Sequence, residues 1–263
     1  MKLAISNIAW GQRLDDELLA FLVNAGAEAV ELAPGLTELE TDDQIAATAA
    51  RLRQHRLDVV GLHSLLFEVP QLRIVNESHR IDLLEYCDRL ARQCRQLGGR
   101  FLVFGSPRSR SLDGLSRDAA WSQAVDFFQQ LGEIGVARNV TFLIEPLPDA
   151  DLVRNHREGI KLVEAAASDG LSLHLDIRTM STNGESPTAI AEQVEYLKHV
   201  HTGGANLSFA GPNDGIKHTA YAGGLKDIGY DGFITLEMVR SAEAPDFTAL
   251  TQTLEFAREV YCQ

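Results

Sequence analysis

Six short apolar runs in this sequence finish on a side chain that can ionise or hold a metal: Glu31 in VEL, His63 in GLHS, Glu145 in LIEP, Asp176 in LHLD, His201 in HVH and Glu237 in ITLE. A carboxylate at the end of an apolar segment is costly to bury, by roughly several kcal/mol for an isolated charge even after relaxation. Glu145, Asp176 and Glu237 would also repel one another if they converged. Lysine and arginine are nearly absent from these run ends, so the compensating charge is most simply a divalent cation. Two glutamates, one aspartate and one histidine form an oxygen-rich set with a single imidazole. That set suits manganese first, then magnesium, cobalt or zinc, and is unlike a thiolate-lined tetrahedral zinc site.

The stretch LKHVHTGGAN, residues 197–206, places His199 and His201 two apart. In a strand both imidazoles then point to the same side. His201, nearer the end, reaches a metal at the mouth of the sheet, whereas His199 lies one layer deeper and is expected to hydrogen-bond a neighbour. Gly203 and Gly204 follow, where the chain must turn sharply and leave room above an ion.

Such side chains need a scaffold that brings run ends together. The runs KLAISNIAW, AEAVELAP, LDVVGLHS, GRFLVFGS, VTFLIEPL, LSLHLDIR, LKHVHTGG and DGFITLEM are each too short for a helix and are bounded by glycine, proline or polar residues. Between the first six lie helical patterns: DDELLAFLVNAG, DDQIAATAARLRQH, SHRIDLLEYCDRLARQCRQLGG, AWSQAVDFFQQLGEIGVARN and REGIKLVEAAASDG. Eight such units predict an α/β fold, a (β/α)8 TIM barrel forming a single domain over residues 1–263, with its site where strands end and loops begin. An open doubly wound sheet has the same alternation, but no GxGxxG follows the first strand.

Composition narrows the partners. With 263 residues, 45% hydrophobic and 23% charged, the chain can bury a full core. Its net charge of −13 opposes the basic surface that nucleic-acid backbones require. Cys87, Cys94 and Cys262 have no CxxC spacing and read as free thiols in a reducing compartment. The first residues, MKLAISNIAWGQRLDD, meet charge too soon for a signal peptide or a membrane span, so a cytoplasmic protein is expected.

Further residues are candidates for holding a small substrate. His63 can bond a hydroxyl and equally can be a satisfied core histidine; Glu31 can orient a hydroxyl or a neighbouring side chain. Asn7 and Trp10, after the first strand, offer an amide and a stacking face, although an aromatic there also serves as packing. Arg108 and Arg110 in GSPRSR present donor forks for a carboxylate or phosphate, or pair with acidic neighbours in a solvated loop. His218 in GIKHTAY is placed to face a pocket.

Taken in order, VELAP, LVFGSPRSR, LIEPLP, LHLDI, KHVHTGGAN and IGYDGFITLE give the chain a resemblance, nearly end to end, to the xylose isomerase-like TIM barrels, a group that includes ketose 3-epimerases. The resemblance implies Glu145, Asp176, His201 and Glu237 as metal ligands, with Glu145 and Glu237 doubling as the acid/base pair. It implies a metal-dependent sugar isomerase or epimerase of carbohydrate metabolism, acting through an enediolate on a keto-sugar or polyol, in a homodimer or homotetramer. A lyase or dehydratase on a keto-cyclitol or oxidised sugar is the alternative on the same site. Such epimerases often carry histidine where this chain has Thr179, arginine where it has Leu207, and glutamate at the substrate-holding position of Asp151. The sugar recognised is therefore left open.

Overall fold

The structure, a computed structural model, describes residues 1–240 and 245–263. Every apolar run named above contains a strand: β1 (Lys2–Ser6), β2 (Ala29–Leu32), β3 (Asp58–Leu62), β4 (Phe101–Phe104), β5 (Thr141–Ile144), β6 (Leu171–Asp176), β7 (Leu197–Thr202) and β8 (Phe233–Leu236). Each is followed by a helix: α1 (Asp16–Asn24), α2 (Asp42–Gln54), α3 (Glu77–Leu97), α4 (Arg117–Arg138), α5 (His156–Ala166), α6 (Ile177–Thr182), α7 (His218–Asp227) and α8 (Phe247–Tyr261). All neighbouring strands are parallel, and β8 pairs with β1 to close the barrel.

Local chemistry sets many of these boundaries. Side-chain oxygens of Asp15, Thr41, Asn76, Ser116, Asn155, Asp176 and Asp246 accept hydrogen bonds from the first turns of their helices. At Thr41 the bond is reciprocal with Gln44. The first five helices fall on the predicted patterns, and α6 to α8 add to them. In α7 the interior carries Gly223 and Gly224, which weaken a helical signal. Gly224 is nevertheless required, because a Cβ there would lie 2.7 Å from the Pro187 carbonyl.

Two apolar layers result. Strand residues such as Leu62, Phe104, Phe142 and Ile144 join Leu90, Phe127 and Leu131 of the helices in the outer core. Ala4, Ala29, Val60, Phe101 and Phe233, from five different strands, form a separate cluster inside the barrel. Two residues further along β1, β2 and β8 stand Ser6, Glu31 and Thr235, on the same faces because strand side chains alternate. The ring of Phe101 on β4 stacks on His199 of β7 at 5.7 Å, a contact that only the barrel interior allows. Cys87 and Cys94 are buried free thiols, pushed up to about 12 by burial. Among the described residues no helix is long and apolar enough to cross a membrane.

Candidate metal centre

The register of the barrel builds the site. Asp176 is aligned with His201, and His201 with Thr235, so the ends of β6, β7 and β8 lie side by side. Glu145 continues β5, its backbone N–H donating to the Phe104 carbonyl, and Glu237 continues β8, donating to the Thr202 carbonyl. One ligand atom each from Glu145, His201 and Glu237 fall within 4.8 Å of one another. Two glycines make this convergence possible. A Cβ on Gly105 would lie 2.2 Å from Glu145 Oε2, and one on Gly203 would lie 2.3 Å from the Glu237 carbonyl.

Beneath these groups Glu31 is fully buried. Its Oε2 lies 2.9 Å from Nε2 of both His199 and His201. His199 is also 3.1 Å from the Thr235 hydroxyl, as expected of a histidine one layer deeper. His201 thus has one ring nitrogen held by a carboxylate. Its Nδ1 is buried without a hydrogen-bond partner, 3.7 Å from Glu237 Oε2. The other Glu237 oxygen lies 3.2 Å from Nδ1 of His63, whose Nε2 meets the Ser6 hydroxyl at 2.5 Å.

The electrostatics describe a site short of positive charge. Burial, reinforced by Glu237 and Asp176, pushes the Glu145 carboxyl up to about 8. Burial also raises Asp176, with Arg178 opposing and Glu237 adding to the rise. For Glu237 burial acts in the same direction, but the neighbouring imidazoles of His201 and His63 outweigh it and hold this carboxyl well below its ordinary value. Burial would lower His201, yet Glu31 and Glu237 raise it well above the usual imidazole range. Burial depresses His174 and His199.

A divalent ion fits these donors. Two carboxylates and an imidazole are within reach of one centre, and the inward nitrogen of His201 is without a partner. Its other nitrogen is fixed by Glu31, in the carboxylate–histidine pairing that orients metal-bound imidazoles. The fourth expected ligand, Asp176, is held differently. Its Oδ1 accepts from the Arg178 backbone N–H at 2.7 Å, and its Oδ2 from the Arg178 guanidinium at 2.6 Å.

The remaining candidates separate. His63 is at the site. Glu31 is also brought in, but as a buried support for two histidines, away from any substrate surface. Arg108 is exposed and lines a cavity of about 530 Å³ together with Ser64, Phe67 and Ser106. Two of its lining residues are chain neighbours of the centre, Ser64 following His63 and Ser106 following Gly105. Asp151 lies on the exposed rim, accepting from the Leu112 backbone.

Four others are turned to structural work. Arg110 is buried, and its guanidinium donates to the carbonyls of Gly105, Leu152 and Val153. Trp10 is 1% exposed and donates to the Arg13 carbonyl, which makes it packing and no stacking face. Asn7 bridges Ala33 and Thr37. His218 is buried between Asp214, at 2.8 Å, and the Tyr261 hydroxyl, at 2.7 Å. In each case the loop folds the side chain inward onto a backbone or hydroxyl partner.

Two neighbours of the site were not singled out from the sequence. His174 lies two residues before Asp176 on the same face of β6, its ring 4.1 Å from that of His201. The alternation in LHLD was the available signal. Arg178 was readable only as a residue near Asp176, because its direction depends on the short turn of α6.

A sequence model of the family described as xylose isomerase-like TIM barrel matches residues 19–260. An L-ribulose 3-epimerase from Mesorhizobium japonicum is 26% identical over 152 residues, 56% of this chain; the match spans only half (50%) of that relative's length. Among solved structures, a D-psicose 3-epimerase from Clostridium cellulolyticum H10, described with D-tagatose, superposes with a TM-score of 0.83 at 19% identity, over 99% of each chain. A 3-keto-D-glucoside 4-epimerase from E. coli gives 0.79 at 17% identity, over 98% of this chain and 99% of that one.

Proposed function

Because the chain belongs to the xylose isomerase-like TIM barrel family, we propose that it is a divalent-metal-dependent epimerase of a small keto-sugar. The observation that carries this reading is the meeting of Glu145, His201 and Glu237 within 4.8 Å at the C-terminal mouth of the barrel. Glu145, Asp176, His201 and Glu237 would hold the ion, manganese being our first choice for so oxygen-rich a set. When bound, the ion supplies Lewis-acid stabilisation of the negative charge that develops on the substrate's carbonyl oxygen.

The chain's own residues do the rest. Glu145 and Glu237 reach the centre from strands three apart, so they address a bound sugar from different directions. One carboxylate takes the proton from the carbon beside the carbonyl, leaving an enediolate, and the other returns a proton to the opposite face of that carbon. The configuration there inverts and no atom is lost. His63 holds one Glu237 oxygen and limits the angle from which that carboxylate acts. Glu31 fixes the ring of His201, and the cavity beside Arg108 offers room for the rest of the substrate. The protein would work in the cytoplasm on a soluble carbohydrate, as a homodimer or homotetramer.

Relatives named for epimerisation at C3 and at C4 support the class of reaction and leave the carbon open. No observation favours the lyase alternative. The test is deuterium exchange: metal-stripped protein reloaded with Mn²⁺ is incubated in D2O with a panel of free ketoses, and label beside the carbonyl is read by NMR. The native chain should incorporate deuterium and yield the epimer, and Glu237→Gln should stop both while remaining folded. Undiminished exchange in that variant, or an ultraviolet-absorbing unsaturated product in place of an epimer, would overturn the proposal.

A further inference from the structure

Arg178 occupies an unusual place. It stands in the first turn of α6, where the helix dipole disfavours a cation. Its side chain is only 19% exposed and pairs with Asp176, and the charges of Asp176, Glu237, Glu145 and Asp149 favour its cationic form. Asp176, itself 2% exposed, gives one oxygen to the Arg178 backbone and the other to the guanidinium. The three donors that already converge are Glu145, His201 and Glu237, without Asp176.

We propose that Arg178 is an internal cation that stands in for the metal at Asp176 and competes with it, so that the chain binds its divalent ion weakly and exchangeably. This inference rests on the metal-site reading above. An arriving ion that recruits Asp176 must detach or reorient the guanidinium, and it meets a centre whose net negative charge Arg178 has already reduced by one. Removing a unit charge a few ångströms from a dication in a partly buried site should change affinity on the order of 10- to 100-fold. A single guanidinium nitrogen bonds the Asp176 side chain, so a lysine ammonium can take over the role.

The measurement is calorimetric titration of Mn²⁺ into metal-stripped protein, paired with thermal melting. Arg178→Gln should bind Mn²⁺ on the order of 10- to 100-fold more tightly than the native chain, and Arg178→Lys should stay within about threefold of it. Without metal, Arg178→Gln should melt lower, because the carboxylates lose their counter-ion, and its gain on adding Mn²⁺ should be larger. In an Asp176→Asn background the same arginine substitution should lose the part of its effect that comes from competition for Asp176, leaving a smaller gain from the removed charge. Equal or weaker binding by Arg178→Gln overturns the inference while leaving the metal site standing, as does an undiminished gain in the Asp176→Asn background. If neither the native chain nor Arg178→Gln binds Mn²⁺, the metal-site reading fails and this inference falls with it.

Discussion

Glu31 on β2 and His201 on β7 meet across the interior of the barrel, Oε2 to Nε2 at 2.9 Å. The two residues are 170 apart in the chain. The same carboxylate oxygen lies at the same distance from His199, so one buried group fixes two imidazoles. This bond decides which nitrogen of His201 faces Glu145 and Glu237.

Replacing Glu31 with Gln should therefore damage the centre from below. The amide presents an NH2 as well as an oxygen, and the ring of His201 is free to present either nitrogen upward. Loss of such a partner is expected to weaken Mn²⁺ binding about 10- to 100-fold. Calorimetric titration measures it, and an unchanged affinity would show that the ring is fixed by packing alone.

Metal binding should stabilise the fold, because the donors converge only in the native chain. At a free Mn²⁺ concentration of about 100 times the dissociation constant, linkage gives about 2.7 kcal/mol. For a chain of this size that corresponds to roughly 5–10 °C in Tm. Differential scanning with and without Mn²⁺, and after chelation, tests the gain. Glu145→Gln should reduce it substantially; a Tm that ignores the metal would count against the site.

Gly105 is required by Glu145 and by little else. A methyl there meets the Glu145 carboxylate at 2.2 Å, so Gly105→Ala should displace that carboxylate at a stability cost of about 1–3 kcal/mol. Activity and Mn²⁺ affinity should fall together while the fold survives. Gly61→Ala is the contrast. There the added carbon meets the Phe101 carbonyl at 2.0 Å, and the loss should appear in stability first.

Acid should loosen the loop behind β5. Burial would raise Glu158, but the Arg154 backbone N–H and the guanidinium of Arg117, at 2.8 Å, hold it below its ordinary 4.5. A carboxyl depressed in the fold contributes stability above its unfolded value and loses that contribution as pH falls through the folded one. Glu158→Gln should thus be less stable than the native chain at neutral pH and show a flatter decline below about pH 4.5. Urea midpoints measured across acid pH decide it; parallel curves for the two proteins would remove the assignment.

The barrel was legible because its signals are local. A strand repeats every two residues and a helix every 3.6, so the eight strand runs and the first five helices could be read from short windows of sequence. Parallel strands of a closed barrel all end on one side, which is why Glu145, His201 and Glu237 could be named from their positions in LIEP, HVH and ITLE. What sequence could not supply was direction across space. Whether Trp10, Arg110 and His218 faced the mouth or the interior depended on how loops pack, and loops carry no period. The bonds from Glu31 to His199 and His201 span the barrel, and no pattern along the chain records a contact made only by closure. Asp176 was placed by its strand, but the turn of α6 put Arg178 on it. The residue types thus determined what chemistry the chain can hold, and the tertiary structure decided which of those groups meet.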